Sequence, residues 1–168
     1  MNEILIEDYP YSTFIDIDNY DLTREVYNGD GGITNIRALQ THVMYDTDDD
    51  NLKKLFGWII SFISKSSLIV QKVDHFWFAK YNKGDYTLSH THDPCLYSFV
   101  YFINAPEGSS PLVFTSNNQS VEAKKGRVVI FPASLEHHVP INECENRIIL
   151  SGNTYFLQPH YVHFRDRS

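Results

Sequence analysis

Two histidines separated by a single residue, His90 and His92, constrain this chain more than any other feature of its sequence. Side chains at alternate positions of an extended strand point to the same side, so a β-strand here would present both imidazoles to one ion. A third histidine, His137, lies far along the chain and would complete one face of an octahedral metal site. The sequence therefore predicts a β-rich fold that brings two distant segments together around a metal and leaves other coordination positions open.

The residues before the histidine pair have the composition of a strand. Apolar and aromatic residues dominate positions 76–81, and Gly84 follows them in a short polar stretch. A turn-forming glycine between two strand-like segments indicates a hairpin. We therefore expect the strand of residues 76–81 to form a hairpin with the strand that carries His90 and His92.

The third histidine also follows a strand-like segment. Residues 127–131 form an apolar run that ends at Pro132, which cannot continue a hydrogen-bonded ladder, and His137 lies just beyond it. Arg147 follows ten positions later, at the head of the apolar run 148–150. Binding residues often lie at such strand ends, where a rigid scaffold holds them.

Together these positions resemble the motifs of the 2-oxoglutarate and iron(II)-dependent oxygenases, in particular the prolyl-hydroxylase-like branch and its small bacterial and phage members. The pattern is Tyr-x-x-Gly-x5 followed by His-x-Asp or His-x-His, then Gly-x5-Pro, a distal His and an Arg about ten residues on. It is met here by Tyr81, Gly84, His90, His92, Gly126, Pro132, His137 and Arg147. The resemblance covers residues 76–156, about half of the chain. It implies a mainly β fold, a double-stranded β-helix (jelly roll, cupin-like) with one or two supporting helices.

The resemblance also implies a role for each matching residue. His90, His92 and His137 would bind Fe(II), and Arg147 would hold the distal carboxylate of 2-oxoglutarate through its two-point fork. Tyr81 would add a hydroxyl to the same cosubstrate. Two further candidates for cofactor binding lie on the next strand, Ser98 and Tyr101. The implied activity is a dioxygenase that uses O2, converts 2-oxoglutarate to succinate and hydroxylates an unidentified protein side chain or small molecule.

One position departs from the wider superfamily, in which a carboxylate usually stands where this chain has His92. A neutral imidazole leaves the site about one charge more positive, which changes its redox behaviour and its affinity for iron. In a regular strand the next residue, Asp93, points to the opposite face, although a bulge near Pro94 would re-aim it. The third ligand is therefore either His92 or a neighbouring carboxylate.

Two other functions fit part of the same pattern. Gly84, His90 and His92 also match the first half of the cupin motif, so a three-histidine cupin-type dioxygenase that does not use 2-oxoglutarate is an alternative. Such cupins usually carry a glutamate four or five residues after the second histidine, where this chain has Leu96 and Tyr97. The other alternative is a β-helix that binds a ligand or partner without catalysis.

Helical periodicity is confined to one segment. Apolar residues recur at steps of three and four between Leu52 and Ile63, and three aspartates at 48–50 precede them and would cap the helix. We expect this helix on the outer face of the larger sheet.

Elsewhere the predicted strands are residues 14–17, 36–45 and 154–164, and residues 28–32 form a turn that would either connect strands or cover the site entrance. Four of the eight histidines are interpreted as structural: His42, His75, His160 and His163.

Length and composition indicate the domain organisation, the partners and the location of the protein. A chain of 168 residues predicts a single domain, with supporting strands and a helix in residues 1–72 and the catalytic core in 73–168. The net charge of −7 disfavours bulk nucleic acid as a partner. No apolar run approaches the ~20 residues of a membrane span. Cys95 and Cys144 lack ligand-like spacing, which favours reduced thiols in the cytoplasm. Strands rich in Tyr and Phe would need their edges covered, which makes a homodimer possible.

Overall fold

The computed structural model describes residues 3–11, 14–26, 34–66 and 71–157. Within these ranges the helical elements are α1 (Asp50–Ser66) and a short 3-10 helix, Ile17–Asn19. The strands are β1 (Leu5–Asp8), β2 (Ile36–Arg37), β3 (Leu39–Gln40), β4 (Gln71–Tyr81), β5 (Tyr86–His90), β6 (Tyr97–Asn104), β7 (Leu112–Phe114), β8 (Gln119–Val121), β9 (Arg127–Pro132), β10 (His137–Val139) and β11 (Arg147–Phe156). No helix in the described ranges is long and apolar enough to cross a bilayer.

The described strands form two antiparallel sheets that face each other. The larger sheet has the order β1-β9-β6-β11-β4-β3, and the smaller one has the order β2-β5-β10-β7-β8. Their inner faces share one apolar cluster, in which Phe102 and Phe131 of the larger sheet lie with Leu112 and Phe114 of the smaller. This is a jelly roll of the double-stranded β-helix type, and it confirms the predicted fold class.

Helix α1 covers the outer face of the larger sheet, as its periodicity predicted. The buried residues of this layer include Leu52, Leu55, Ile59 and Ile63 on the helix and Phe76, Phe78, Phe99 and Val128 on the strands. Asp49 caps the helix, because its Oδ1 accepts hydrogen bonds from the backbone N–H groups of Asn51 at 2.7 Å and Leu52 at 3.4 Å. The helix therefore supports the larger sheet from the side away from the interior.

Strand β4 shows how the larger sheet is buried on both faces. Phe76 and Phe78 pack under the helix, whereas Ala79 and Tyr81 lie in the cluster between the two sheets. Because side chains alternate along a strand, the odd-numbered residues of this part of β4 face the space between the sheets. The candidate site lies in that space.

The hairpin predicted around Gly84 is wrong. Strand β4 pairs with β3 and β11, while β5 pairs with β2 and β10. The turn at Gly84 therefore carries the chain from one sheet to the other. Gly84 has a φ of 90°, which favours glycine, and its N–H donates to the carbonyl of Asn142 at 2.8 Å.

The N-terminal predictions hold in part. Residues 14–17 are not a strand, because a 3-10 helix begins at Ile17 and Asp16 caps it by accepting from the N–H of Asp18 at 3.1 Å. The segment 36–45 is divided between the sheets, since β2 joins the smaller sheet and β3 the larger one. The predicted turn at 28–32 lies outside the described residues. Of the strand predicted for residues 154–164, residues 154–156 belong to β11. Residues 158–164 of that strand, with His160 and His163, lie outside the described residues.

Candidate metal centre

Three histidines converge between the sheets. His90 ends β5 and His137 begins β10, and the two are register partners with ring centroids 4.4 Å apart. His92 lies two residues beyond the end of β5, where its backbone N–H donates to the carbonyl of Ala133 at 2.8 Å. Its ring lies 4.7 Å from that of His90 and 5.1 Å from that of His137. One potential ligand atom from each residue lies within 4.8 Å of the others.

Backbone carbonyls orient two of the three imidazoles. Nδ1 of His90 lies 2.8 Å from the carbonyl oxygen of Leu88, and Nδ1 of His137 lies 2.8 Å from that of Leu135. A carbonyl only accepts, so Nδ1 carries the proton in both rings and Nε2 keeps its lone pair. This is the common orientation of metal-binding histidines, whose other nitrogen donates to a carbonyl or carboxylate.

The three imidazoles lie in surroundings that keep them neutral. Burial, with a smaller contribution from the neighbouring His90, lowers the pKa of His137 to about 4. Burial also lowers the pKa of His90, and it lowers the pKa of His92 well below its usual value, with the other imidazoles adding to the effect. Neutral imidazole is the form that binds metals, and it suits Fe, Zn, Cu and Ni. The donor set therefore fits a transition metal, and Asp93 is not part of it.

Arg147 is buried between the sheets, and one of its three guanidinium nitrogens has a hydrogen-bond partner among the described residues. The side chain has 0% exposure, and its Nε donates to the carbonyl of Ser110 at 2.9 Å. Neither terminal nitrogen has a hydrogen-bond partner among the described residues. The guanidinium carbon lies 4.6 Å from the ring centroid of Tyr81 and 5.3 Å from that of Phe102. A buried cation without an anionic partner is costly, so these two nitrogens are suited to an anionic ligand.

Tyr81 lies beside Arg147 as its register partner on β4. Its ring is buried, and its hydroxyl lies 2.7 Å from the hydroxyl of Thr87. Burial raises the pKa of Tyr81, so the phenol stays protonated and can donate a hydrogen bond. A small cavity of about 30 Å³ is lined by Tyr81, Thr87, His90 and His137 among others, and it joins this end of the interior to the histidines.

The two candidates on β6 lie on opposite faces. Tyr101 belongs to the cluster under helix α1, and its ring lies 6.0 Å from that of Tyr9. The structure therefore does not bring Tyr101 to the histidines, and it places this residue on the face of β6 under helix α1. Ser98 faces the other way and donates to Oδ1 of Asn153 at 2.7 Å, at the far end of the site from Arg147.

A larger cavity of about 410 Å³ opens beside the histidines at that far end. Its lining includes His75, Trp77, His90, His92 and Asn153. Sequence reasoning missed Trp77 and Asn153, and it assigned His75 to a structural role. Strand alternation was the signal that could have found the two missed residues, since Trp77 shares a face of β4 with Tyr81, and Asn153 lies an even number of residues after Arg147.

Comparison with known proteins shows where this architecture occurs. No family model matches the chain, and no curated protein matches its sequence. Among solved structures, a prolyl hydroxylase from Trichoplax adhaerens, in complex with a hypoxia inducible factor oxygen degradation domain peptide fragment, matches at 13% identity with a TM-score of 0.65. The match covers 90% of this chain and 83% of that one.

Two further structures are similar to a comparable degree. The viral collagen prolyl hydroxylase of Paramecium Bursaria Chlorella virus-1, in complex with 2OG, has 16% identity and a TM-score of 0.63, over 72% of this chain and 80% of that one. A 2OG-Fe(II) oxygenase family oxidoreductase from Burkholderia pseudomallei has 10% identity and a TM-score of 0.63, over 82% of this chain and 74% of that one. The chain therefore has the double-stranded β-helix fold of the prolyl hydroxylases and 2OG-Fe(II) oxygenases, as its sequence motifs predicted.

Proposed function

We propose that this chain is a 2-oxoglutarate and Fe(II)-dependent dioxygenase that hydroxylates a substrate bound in the 410 Å³ cavity. The observation that carries the proposal is the pairing of two features in one interior. Three neutral imidazoles of the smaller sheet and its loop converge to within 4.8 Å, and a buried guanidinium on the facing larger sheet has two nitrogens without a hydrogen-bond partner among the described residues. The first feature suits a metal, and the second suits a carboxylate.

The histidines supply three ligands on one side of a metal. His90 and His137 would bind through Nε2, since Nδ1 of each is engaged with a backbone carbonyl. His92 would provide the third nitrogen, in place of the more usual carboxylate. When bound, iron and 2-oxoglutarate supply the oxidative chemistry, in which O2 is activated as 2-oxoglutarate is converted to succinate and carbon dioxide.

Arg147 and Tyr81 would recognise the cosubstrate. The two terminal nitrogens of Arg147, which have no partner among the described residues, match the two oxygens of a carboxylate, and the Tyr81 hydroxyl can donate to the same group. The 30 Å³ cavity at this end holds about one water molecule, so its lining side chains must move apart to admit a dicarboxylate. That lining is largely apolar, which would keep bulk water away from the reacting groups.

The larger cavity would receive the substrate. Its volume is within the range of ordinary ligand sites, and it reaches His90 and His92 directly. The described residues that line it include no lysine or arginine, while Asp93 contributes a carboxylate. An anionic substrate would therefore lack a cationic partner there. We infer that the substrate is uncharged or cationic, either a small molecule or a protein side chain.

An anaerobic titration tests this function. Protein loaded with Fe(II) is titrated with 2-oxoglutarate, and the weak visible charge-transfer band that chelation produces is followed. We expect the band to appear and to require higher 2-oxoglutarate concentrations in Arg147→Lys. Iron binding without the band would favour a three-histidine cupin-type dioxygenase that does not use 2-oxoglutarate. Failure to bind iron would leave a binding module without catalysis.

A further inference from the structure

One of the three histidines is oriented differently from the other two. The rings of His90 and His137 are each held by a hydrogen bond from Nδ1 to a backbone carbonyl. No ring nitrogen of His92 has a hydrogen bond to any residue that the structure describes, although its backbone N–H is fixed to Ala133. The backbone of His92 is therefore placed by hydrogen bonding, whereas its imidazole must be oriented by packing.

Trp77 provides that packing. Its ring centroid lies 5.6 Å from that of His92 at an interplanar angle of 48°, and it forms part of the wall of both the small and the large cavity. The Trp77 ring is also stacked with His75, at 6.0 Å and 22°. The indole thus contacts both the candidate ligand His92 and a second imidazole, which lies on the same face of β4.

A chain of hydrogen bonds fixes His75 in turn. Ser98 donates to Oδ1 of Asn153 at 2.7 Å, and the Asn153 amide donates to Nε2 of His75 at 2.8 Å. Nδ1–H of His75 donates a hydrogen bond to the carboxylate of Asp74, with Nδ1 3.0 Å from its Oδ2. Each donor in this chain meets an acceptor, so the orientation of Asn153 and the tautomer of His75 are both determined. These hydrogen bonds link β6 and β11 to β4, the strand that carries both His75 and Trp77.

We propose that Trp77 is the positioning residue for His92, and that the Ser98–Asn153–His75–Asp74 chain holds Trp77 in place. The inference rests on the metal site of the proposed function. His92 stands where a carboxylate would ordinarily bind the metal. The direction of its imidazole is set by the Trp77 ring, which lines the substrate cavity. Groups outside the coordination sphere typically change metal affinity about 10–100-fold when removed, because they preorganise the ligand.

The chain offers a clean optical test, because Trp58 and Trp77 are its two tryptophans. Trp58 lies on α1 on the other face of the larger sheet, where its ring contacts those of Tyr9 and Phe62. Trp58→Phe therefore leaves a single emitter beside His92. Co(II) is the probe, since its visible d–d bands report coordination geometry and it quenches nearby indole fluorescence. Titration of Trp58→Phe with Co(II) should quench Trp77 and give the same affinity as the wild-type chain.

Substitutions of Trp77 then separate positioning from simple stability. We expect Trp77→Leu to weaken Co(II) binding about 10–100-fold and to shift its d–d spectrum. Trp77→Phe keeps an aromatic ring against His92 and should restore most of the affinity. His75→Ala, made in the Trp58→Phe background, should weaken binding less than Trp77→Leu and reduce the quenching of Trp77. Thermal unfolding of each variant checks that it is folded.

The outcomes are distinct. A folded Trp77→Leu or His75→Ala variant that binds Co(II) with wild-type affinity and spectrum overturns the positioning role and leaves the proposed function untouched. Loss of affinity in Trp77→Leu without rescue by Trp77→Phe also counts against it, because an aromatic wall is then not what matters. If the wild-type chain itself does not bind Co(II), the metal site and this inference fail together.

Discussion

His90 and His137 are register partners across the β5–β10 pair, with ring centroids 4.4 Å apart. Side chains directly opposite each other in an antiparallel pair lie on the same face, so strand pairing alone brings these two imidazoles together. The ladder becomes irregular immediately beyond them, between His137 and Val139. Two of the three candidate ligands are thus fixed by the smaller sheet, whereas His92 depends on the loop that follows β5.

The first prediction concerns His137 and its neighbour. His137→Ala should weaken Fe(II) or Co(II) binding by at least about 100-fold, because a lost ligand costs more than a lost supporting group. His138→Ala is the matched control, since His138 lines an open groove with Tyr86 and Leu88 rather than the interior. Metal content after gel filtration and a Co(II) titration give the comparison. Equal metal binding by both variants would remove His137 from the site.

The second prediction distinguishes the binding of 2-oxoglutarate from the binding of the metal. Arg147→Lys keeps the charge but loses the fork, so we expect 2-oxoglutarate to bind more weakly by about 2 kcal/mol, or roughly 30-fold. Co(II) affinity should change little, because Arg147 is outside the group of candidate ligands. Arg127→Lys is the control, since Arg127 lies near the exposed Asp8 at 3.6 Å. A parallel loss of metal and 2-oxoglutarate in Arg147→Lys would contradict the separate roles.

Sequence spacing could predict that distant residues converge in one candidate site, because these residues lie at strand ends. His90, His137 and Arg147 each occupy the first or last position of a strand in the structure. The local signals around Gly84 could not predict the sheet pairing, because a turn has the same composition whether the next strand pairs with the first or crosses to the opposite sheet. That choice is made by long-range packing against β10 and β11.

The β6 candidates show a limit of motif spacing that strand geometry could have exposed. Ser98 and Tyr101 are three residues apart, and an odd separation places two side chains on opposite faces of a regular strand. The two side chains could not both face the space between the sheets. Ser98 lies on the inner face, and Tyr101 packs under α1 with Tyr9. Conversely, strand alternation could place Trp77 on the inner face but could not predict its contact with His92, because that contact depends on a loop conformation beyond β5.

The third prediction tests the helix cap. Asp49→Ala should lower the free energy of unfolding by about 1 kcal/mol, because the Asp49 carboxylate accepts hydrogen bonds from two first-turn N–H groups, those of Asn51 and Leu52. Asp48→Ala is the control, since the Asp48 carboxylate only approaches the exposed Lys53 at 3.8 Å. Urea unfolding measures both variants. Co(II) affinity should be unchanged in each, because the helix supports the sheet on the face away from the histidines.

The fourth prediction compares two glycines in different surroundings. Gly152 lies in β11, where an added Cβ would come within 2.5 Å of the Phe99 ring and 2.9 Å of the backbone oxygen of His75. Gly57 lies on the exposed face of α1, where an added Cβ meets nothing within 4 Å. Gly152→Ala should therefore destabilise the fold by about 1–3 kcal/mol or more through overpacking. Gly57→Ala should stabilise it by about 0.5–1 kcal/mol, because alanine loses less backbone entropy in a helix.

Urea unfolding midpoints measure both glycine variants, and Co(II) titration shows how far the damage spreads. Gly152 lies between the strand neighbours Ser151 and Asn153, so a shift of its backbone should also disturb the Asn153 amide that holds His75. We therefore expect Gly152→Ala to lose metal affinity as well as stability, while Gly57→Ala keeps wild-type affinity. Wild-type stability in Gly152→Ala would mean that Phe99 and strand β4 can move aside, and that this part of the sheet is packed less tightly than the structure indicates.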